Sequence, residues 1–413
     1  MDTDLAHVNT GCKSLGIALA VGRLDGSAGG EDDMPKNIVI CCDGTNNKFG
    51  TANTNVVKLF SIARQNPGDQ VVFYDPGVGT FSDTAALTPA AKKTTRMMGL
   101  AFGYGISRNL ANAYEFLSDH WEPNDKIYMF GFSRGSYAAR ALASLVFTCG
   151  LLRRQHRNLI SYTIELFKSE YRDASKLAEA ERKRTRTAVT LQLPLCHAFR
   201  DTFSNRPEIH FLGVWDTVVS VGTIHNPLKL PYTSWNPIVQ HVRQAMAIDE
   251  RRKFFRQNLW SPTQQADIKQ VWFAGDHSDV GGGYAEAESG LSKIALAWML
   301  QEATSAGFLV DQGRVSTVLP APAADPPAAP PKIHNELDKW GWKLAQWAPR
   351  QVWTHGKTVL RFSPGELPRY IAPGSRVHHT VFERMQRTQY RPPNLPDNVT
   401  DENGNQVNWK AMI

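Results

Sequence analysis

Apolar positions along the chain recur with two periods. Asn37–Cys42 (NIVICC), Gln70–Tyr74 (QVVFY), Lys126–Phe130 (KIYMF), His210–Trp215 (HFLGVW) and Ile268–Phe273 (IKQVWF) are short apolar runs bounded by turn residues. Such runs predict strands buried on both faces. Between them the spacing becomes helical. Val56, Leu59, Phe60 and Ala63 mark a helix within Asn55–Arg64. A longer one runs from about Tyr104 to His120 and stops before Pro123. An Ala-rich helix covers Ser136–Phe147, and a charge-rich, helix-like stretch starts near Asn158. The run Ile248-Asp249-Glu250-Arg251-Arg252 reads as a salt-bridged helix surface or end. Strands alternating with helices predict an α/β fold: a mostly parallel sheet with helices on both faces, carrying helical and loop insertions.

Two stretches fall outside this alternation. Residues 1–34 combine Gly26-Ser27-Ala28-Gly29-Gly30 with Glu31-Asp32-Asp33 and are expected to be a loose tail. Residues 35–413 are expected to form a single domain. Within it, Leu319–Pro331 (LPAPAADPPAAPP) has no side chains to build a core and reads as a surface loop. Trp340, Trp342, Trp347 and Trp353 follow it and are candidates for a lid over an apolar pocket.

Composition narrows the class. The chain has 413 residues, 42% hydrophobic and 21% charged, enough for a large core. A net charge of +7 suits an anionic partner, a phospholipid surface or nucleic acid. The basic residues are spread along the chain, however. The densest group, Arg182, Lys183, Arg184 and Arg186, reads as a solvated helix end. No nucleic-acid partner is expected, and the charge is compatible with peripheral contact with a membrane. Of the five cysteines, Cys12, Cys41, Cys42, Cys149 and Cys196, none forms a CxxC pair. Buried free thiols in a reducing compartment fit them, and no metal site is expected. No apolar run is long enough to cross a bilayer, and Leu15–Val21 is a poor signal peptide. The expected location is the cytoplasm of the producing cell.

The chemistry centres on Gly131-Phe132-Ser133-Arg134-Gly135. This G-x-S-x-G run lies between a predicted strand and a predicted helix, the context a nucleophile elbow requires. Ser133 is the expected nucleophile. A serine hydroxyl needs a base, and in this fold class the acid and then the base follow later strands. His277, in Asp276-His277-Ser278-Asp279-Val280-Gly281-Gly282-Gly283, is best placed; His197, His210 and His225 are rivals. Asp216 ends the run His210–Trp215 and is the expected acid, with Asp276 and Asp279 as rivals. The oxyanion should meet the Arg134 N–H and a donor from Cys42-Asp43-Gly44-Thr45-Asn46-Asn47, with Gly44 and Thr45 the candidates. Asp43 and Asp279 are expected to support the site. There is no phosphate loop, and Gly77-Val78-Gly79 and Gly103-Tyr104-Gly105 lack the third glycine of a dinucleotide fingerprint. No cofactor is expected.

CCDGTNN (41–47), GFSRGSYAARALA (131–143), FLGVWDTV (211–218), AIDERR (247–252), HSDVGGGY (277–284) and HHTVFERM…YRPPNLP (378–396) occur in this order. Together they resemble the α/β-hydrolase family that includes phospholipase effectors of type VI secretion, from about Lys36 to Pro396. The resemblance implies a Ser-Asp-His triad on Ser133, Asp216 and His277. It also implies hydrolysis of lipid esters, with phospholipase A activity in the characterised effectors. Unlike the large effectors, this chain is not expected to carry a separate membrane-anchoring domain. As a secreted effector it would leave the cell without a signal peptide and would have an immunity or adaptor protein as partner. The alternatives are an esterase or acyltransferase for small soluble esters, and a binding module that keeps the fold without turnover.

Overall fold

The computed structural model describes residues 34–44, 47, 49–77, 100–185, 192–218, 222–223, 226–227, 230–252, 255–263, 266–319, 330–338, 350–354, 357–361 and 368–412. Its core is a nine-stranded sheet. We number the strands β1 (Asn37–Cys42), β2 (Gln70–Asp75), β3 (Lys126–Phe132), β4 (Ile209–Trp215), β5 (Val239–Ala247), β6 (Asp267–Phe273), β7 (Ser375–Val377), β8 (Val399–Thr400) and β9 (Gln406–Val407). Their order across the sheet is β2-β1-β3-β4-β5-β6-β7-β8-β9. Every neighbouring pair is parallel except β8 and β9.

Side-chain alternation explains how the sheet is covered. Ile38, Ile40 and Cys42 of β1 face one apolar cluster, and Val39 and Cys41 face another. The first cluster takes in the helices α2 (Leu100–His120), α3 (Arg134–Cys149), α4 (Ile160–Thr185) and α5 (Pro194–Phe203). The second takes in α1 (Asn55–Ile62) and α7 (Gly290–Ser305). Ile38, Val39, Ile40 and Cys41 are all 0% exposed, which is why their strand reads as a continuous apolar run. A third cluster joins Trp272 of β6 to Ile371, Val377, Phe382 and Leu395 of the C-terminal part.

The sheet direction reverses between β1 and β3. From β1 the chain moves to β2 on one side, then crosses to β3 on the other. Such a switch point leaves a crevice at the carboxyl ends of the strands, where the two following loops diverge. The loops at this crevice are those of Asp43-Gly44 and Ser133.

Apart from the run at 248–252, the elements expected from the sequence are present, with ends moved by a few residues. Strand β3 runs two residues further than expected, to Phe132. One strand carries no continuous apolar run, and one expectation is corrected. Val239–Ala247 (VQHVRQAMA) is a strand in the middle of the sheet, although Gln240, His241, Arg243 and Gln244 interrupt its apolar run. Partners satisfy these polar groups: Arg243 bonds Asp267 at 2.6 Å, and Gln244 accepts from the fully buried Arg140 at 2.9 Å. Ile248–Arg252 is not helical. Glu250 and Arg252 are instead a buried pair, with Arg252 Nη2 2.6 Å from Glu250 Oε2.

Residues Pro35–Ile413 form one compact unit. Apart from Met34 the expected tail lies outside the described residues, as do 320–329 of the Pro/Ala-rich loop, Trp340, Trp342, Trp347 and Arg186. Trp353 falls in a strand, Arg350–Thr354, that pairs antiparallel with Lys357–Arg361. Cys41, Cys42, Cys149 and Cys196 are buried and free. Among the described residues no helix is long and apolar enough to cross a membrane.

Candidate active site

Ser133 links β3 directly to α3, with φ 58° and ψ −120°. A non-glycine residue rarely holds a positive φ unless its surroundings impose it. Here the surroundings are backbone. Ser133 N–H donates to the Trp215 carbonyl at 3.0 Å, and the Ser136 hydroxyl donates to the carbonyls of Gly131 (2.8 Å) and Trp215 (3.0 Å). The two glycines of the motif allow this close approach. A Cβ on Gly131 would lie 2.6 Å from the Gly135 carbonyl oxygen. A Cβ on Gly135 would lie 2.1 Å from the carbonyl oxygen of Cys42 in the neighbouring strand. Arg134 opens α3, whose first N–H groups have no partner within the helix.

Asp216 follows β4 and is fully buried, 1% exposed, with φ 39°. His277 opens the short helix α6 (His277–Gly281), which Asp276 caps by accepting from the N–H groups of Ser278 and Asp279. The His277 Nδ1 lies 2.5 Å from Asp216 Oδ2. The imidazole packs against the Phe132 ring (centroids 4.6 Å apart) and edge-on to the Phe255 ring (4.9 Å). Burial lowers the His277 pKa below its usual 6.5, outweighing the pull of Asp216. For Asp216 the balance is reversed. Burial pushes its pKa up, but the Arg369 charge and the bonds from His277 and Arg369 hold it well below the carboxylate range. Among the described residues the Ser133 hydroxyl has no hydrogen-bond partner.

The rivals are accounted for elsewhere. Asp279 pairs with His334 Nδ1 at 2.7 Å, and Asp276 is occupied as the helix cap. His210 enters β4 and bonds Gln240 and the Ala306 carbonyl. His197 lies in α5, and His225 falls outside the described residues.

The loop after β1 is built around the Asp43 carboxylate. It accepts from Gly44 N–H (2.6 Å), Asn47 Nδ2 (2.9 Å), Thr54 Oγ1 (2.7 Å) and the Tyr74 hydroxyl (2.9 Å). The Gly44 N–H, expected as an oxyanion donor, is thus committed to Asp43. Gly44 instead permits contact: a Cβ there would lie 3.3 Å from the Cβ of Ser133. Thr45 lies outside the described residues.

Sequence reasoning missed Arg369, which donates to both oxygens of Asp216, at 2.5 and 2.9 Å. It missed Phe255 as well. Neither belongs to a periodic element or motif, so only the tertiary structure reveals them. Among the described residues, one group has ligand atoms close enough to hold a metal ion: His378, His379 and Glu402. The Glu402 carboxylate is engaged there by His379, through its N–H at 2.9 Å and its Nδ1 at 2.7 Å.

The sheet order and the strand–turn–helix at Ser133 define a protein of the α/β-hydrolase class. The chain belongs to the family described as T6SS, phospholipase effector Tle1-like, catalytic domain, which matches residues 36–302. It is 33% identical over 235 residues to the uncharacterised protein YEL023C of Saccharomyces cerevisiae. That match covers 55% of this chain and 33% of the yeast protein, so the chain matches about a third of that relative's length. Two solved structures are similar. One is an uncharacterised protein from Pseudomonas aeruginosa, 18% identical, covering 67% of this chain and 46% of that one, with a TM-score of 0.36. The other is the Tle1 effector bound to the VgrG spike of the type VI secretion system. It is 22% identical, covers 62% of this chain and 52% of that one, and gives a TM-score of 0.30.

Proposed function

We propose that the protein hydrolyses carboxylic esters of lipids, phospholipids foremost, through an acyl-enzyme on Ser133. Ser133 Oγ attacks the ester carbonyl carbon while His277 Nε2 takes the hydroxyl proton. The same proton passes to the leaving alcohol oxygen as its bond to carbon breaks. Water then attacks the acyl carbon, His277 takes a proton from it, and that proton returns to Ser133 as the acid is released. Asp216 holds the Nδ1 proton and fixes the tautomer. The Arg134 N–H meets the oxyanion, with Thr45 as the remaining candidate for a second donor.

One observation carries this reading. A buried His277–Asp216 pair, joined at 2.5 Å, stands at the carboxyl ends of β4 and β6, on the same sheet edge as a serine held at φ 58°. In free hydrolases the serine–histidine bond is often long and tightens when substrate binds, so an unpaired Ser133 hydroxyl is compatible with the role. Membership of a phospholipase family supports the lipid substrate. Delivery by type VI secretion, with an adaptor or spike partner and an immunity protein in the producer, belongs to the same proposal and rests on the family alone.

The test is release of fatty acid from mixed phospholipid vesicles by the wild type and by Ser133→Ala. Release by the wild type that the variant loses is the expected result. Full activity in the variant removes Ser133 from the mechanism. If neither acts on vesicles while the wild type cleaves short soluble esters, the small-ester alternative replaces the lipid one.

A further inference from the structure

Arg369 stands 153 residues after Asp216 and outside the segment that matches the family. Its side chain is buried, and its residue is 6% exposed. Nη1 donates to Asp216 Oδ1 at 2.5 Å and to the Ala247 carbonyl at 3.1 Å. Nη2 donates to Asp216 Oδ2 at 2.9 Å and to the Phe255 carbonyl at 2.7 Å. The planar fork thus spans both carboxylate oxygens, a geometry lysine cannot reproduce. The Ala247 N–H adds a further bond to Oδ1, at 3.0 Å. With these donors on it, the carboxylate cannot rotate without breaking a bond, and its Oδ2 stays aimed at His277.

The C-terminal part of the chain holds Arg369 in turn. Asn394 donates to the Arg369 carbonyl at 3.0 Å and to the Ile248 carbonyl at 3.1 Å. Ile371, two residues on, is buried in the third apolar cluster with Val377, Phe382 and Leu395. The anchor of Asp216 therefore depends on elements well beyond residue 302.

We propose that Arg369 is a positioning residue for the hydrolysis put forward above. It locks the Asp216 carboxylate in the rotation that serves His277, and through it the C-terminal segment completes the active site. The proposal rests on the serine-hydrolase reading. Its electrostatic consequence follows from Coulomb's law: the guanidinium offsets part of the charge that Asp216 presents to the imidazole. The other charges that act on the ring, Arg252 and Glu250, oppose each other and are untouched by the change. Removing the guanidinium strengthens the hold on the imidazolium, so His277 keeps its proton to higher pH.

Arg369→Met and Arg369→Lys are compared with wild type and Ser133→Ala on a soluble chromogenic ester, with the pH of half-titration of His277 read by NMR. For Arg369→Met the expected result is a kcat lowered by about 100-fold with little change in KM. Its acid limb and its His277 titration both move to higher pH. Arg369→Lys keeps the charge without the fork, so it loses kcat while its titration stays near that of wild type. A folded Arg369→Met with wild-type kcat and His277 titration overturns the proposal. If Arg369→Met does not fold, Arg369→Lys decides: unchanged kcat overturns the positioning role. If wild type shows no turnover beyond Ser133→Ala, the hydrolase reading has failed, and the His277 titration alone tests the Arg369–Asp216–His277 linkage.

Discussion

Two side chains of different kinds hold the Asp216 carboxylate: His277, with Nδ1 at 2.5 Å, and Arg369, with its guanidinium at 2.5 and 2.9 Å. The residue is therefore both part of the proposed reaction and half of a buried ion pair. Asp216→Asn should cost activity and stability together. Amidation of the acid in such a triad lowers kcat by about 10^4-fold through the wrong histidine tautomer. Leaving Arg369 buried without its counter-ion should cost about 3 kcal/mol more in unfolding free energy. Ester turnover and denaturant unfolding measure the two losses. A variant with wild-type stability would show that the pair contributes little to folding.

The glycines of the serine motif serve backbone contact, so their replacement should act on folding. In Gly135→Ala the new Cβ would stand 2.1 Å from the Cys42 carbonyl oxygen, and neither backbone can yield without moving α3 away from β1. A loss of about 3 kcal/mol is expected. Gly44→Ala should differ. Its Cβ meets the movable Asn47 amide at 2.7 Å and the Ser133 Cβ at 3.3 Å. Folding should survive while kcat falls by about 10-fold or more as the loop shifts. Melting temperatures and kcat for the two variants separate these outcomes; equal loss of stability in both would contradict the contrast.

Catalysis should depend on pH through His277. Burial lowers its pKa below 6.5, and the base must be neutral to accept the Ser133 proton. Activity is then full above 6.5 and falls as pH drops through the lowered value. A kcat/KM profile on a soluble ester with its acid midpoint above 6.5 would contradict this.

Stability should depend on pH through Asp276. Burial, then the neighbouring Asp279, pushes its carboxyl from 3.8 up to about 7. The folded state then binds a proton that the unfolded state has released, so between these values Asp276 destabilises the fold progressively as pH rises. Asp276→Asn keeps an acceptor for the capping N–H groups and removes the titration. Its melting temperature should gain on the wild type as pH rises from 3.8 to about 7, with no further gain above. A constant difference across that range would show that Asp276 titrates normally.

The strands and the serine turn were legible because their signals are local. Continuous apolar runs marked β1 to β4 and β6, and the glycines of the serine motif report a steric need that any sequence reader can state. Strand β5 was not legible, because its Arg243 and Gln244 have partners, Asp267 and Arg140, that are distant in sequence. The Glu250–Arg252 pair reads in sequence as a salt-bridged helix surface or end for the same reason: charge alone does not reveal burial. Arg369 lies 153 residues from the carboxylate it grips, in a stretch with no periodicity. The assignment of Gly44 as an oxyanion donor overlooked the Asp43 side chain one residue away, which accepts its N–H.

The central claim is that Ser133 is activated by His277. Reaction with a fluorophosphonate probe, followed by mass spectrometry of the peptides, tests it without knowledge of the substrate. The expected result is a single adduct on the peptide that contains Ser133, absent in Ser133→Ala and strongly reduced in His277→Ala. No adduct, an adduct on another serine, or labelling of Ser133 that survives the loss of His277 would contradict it.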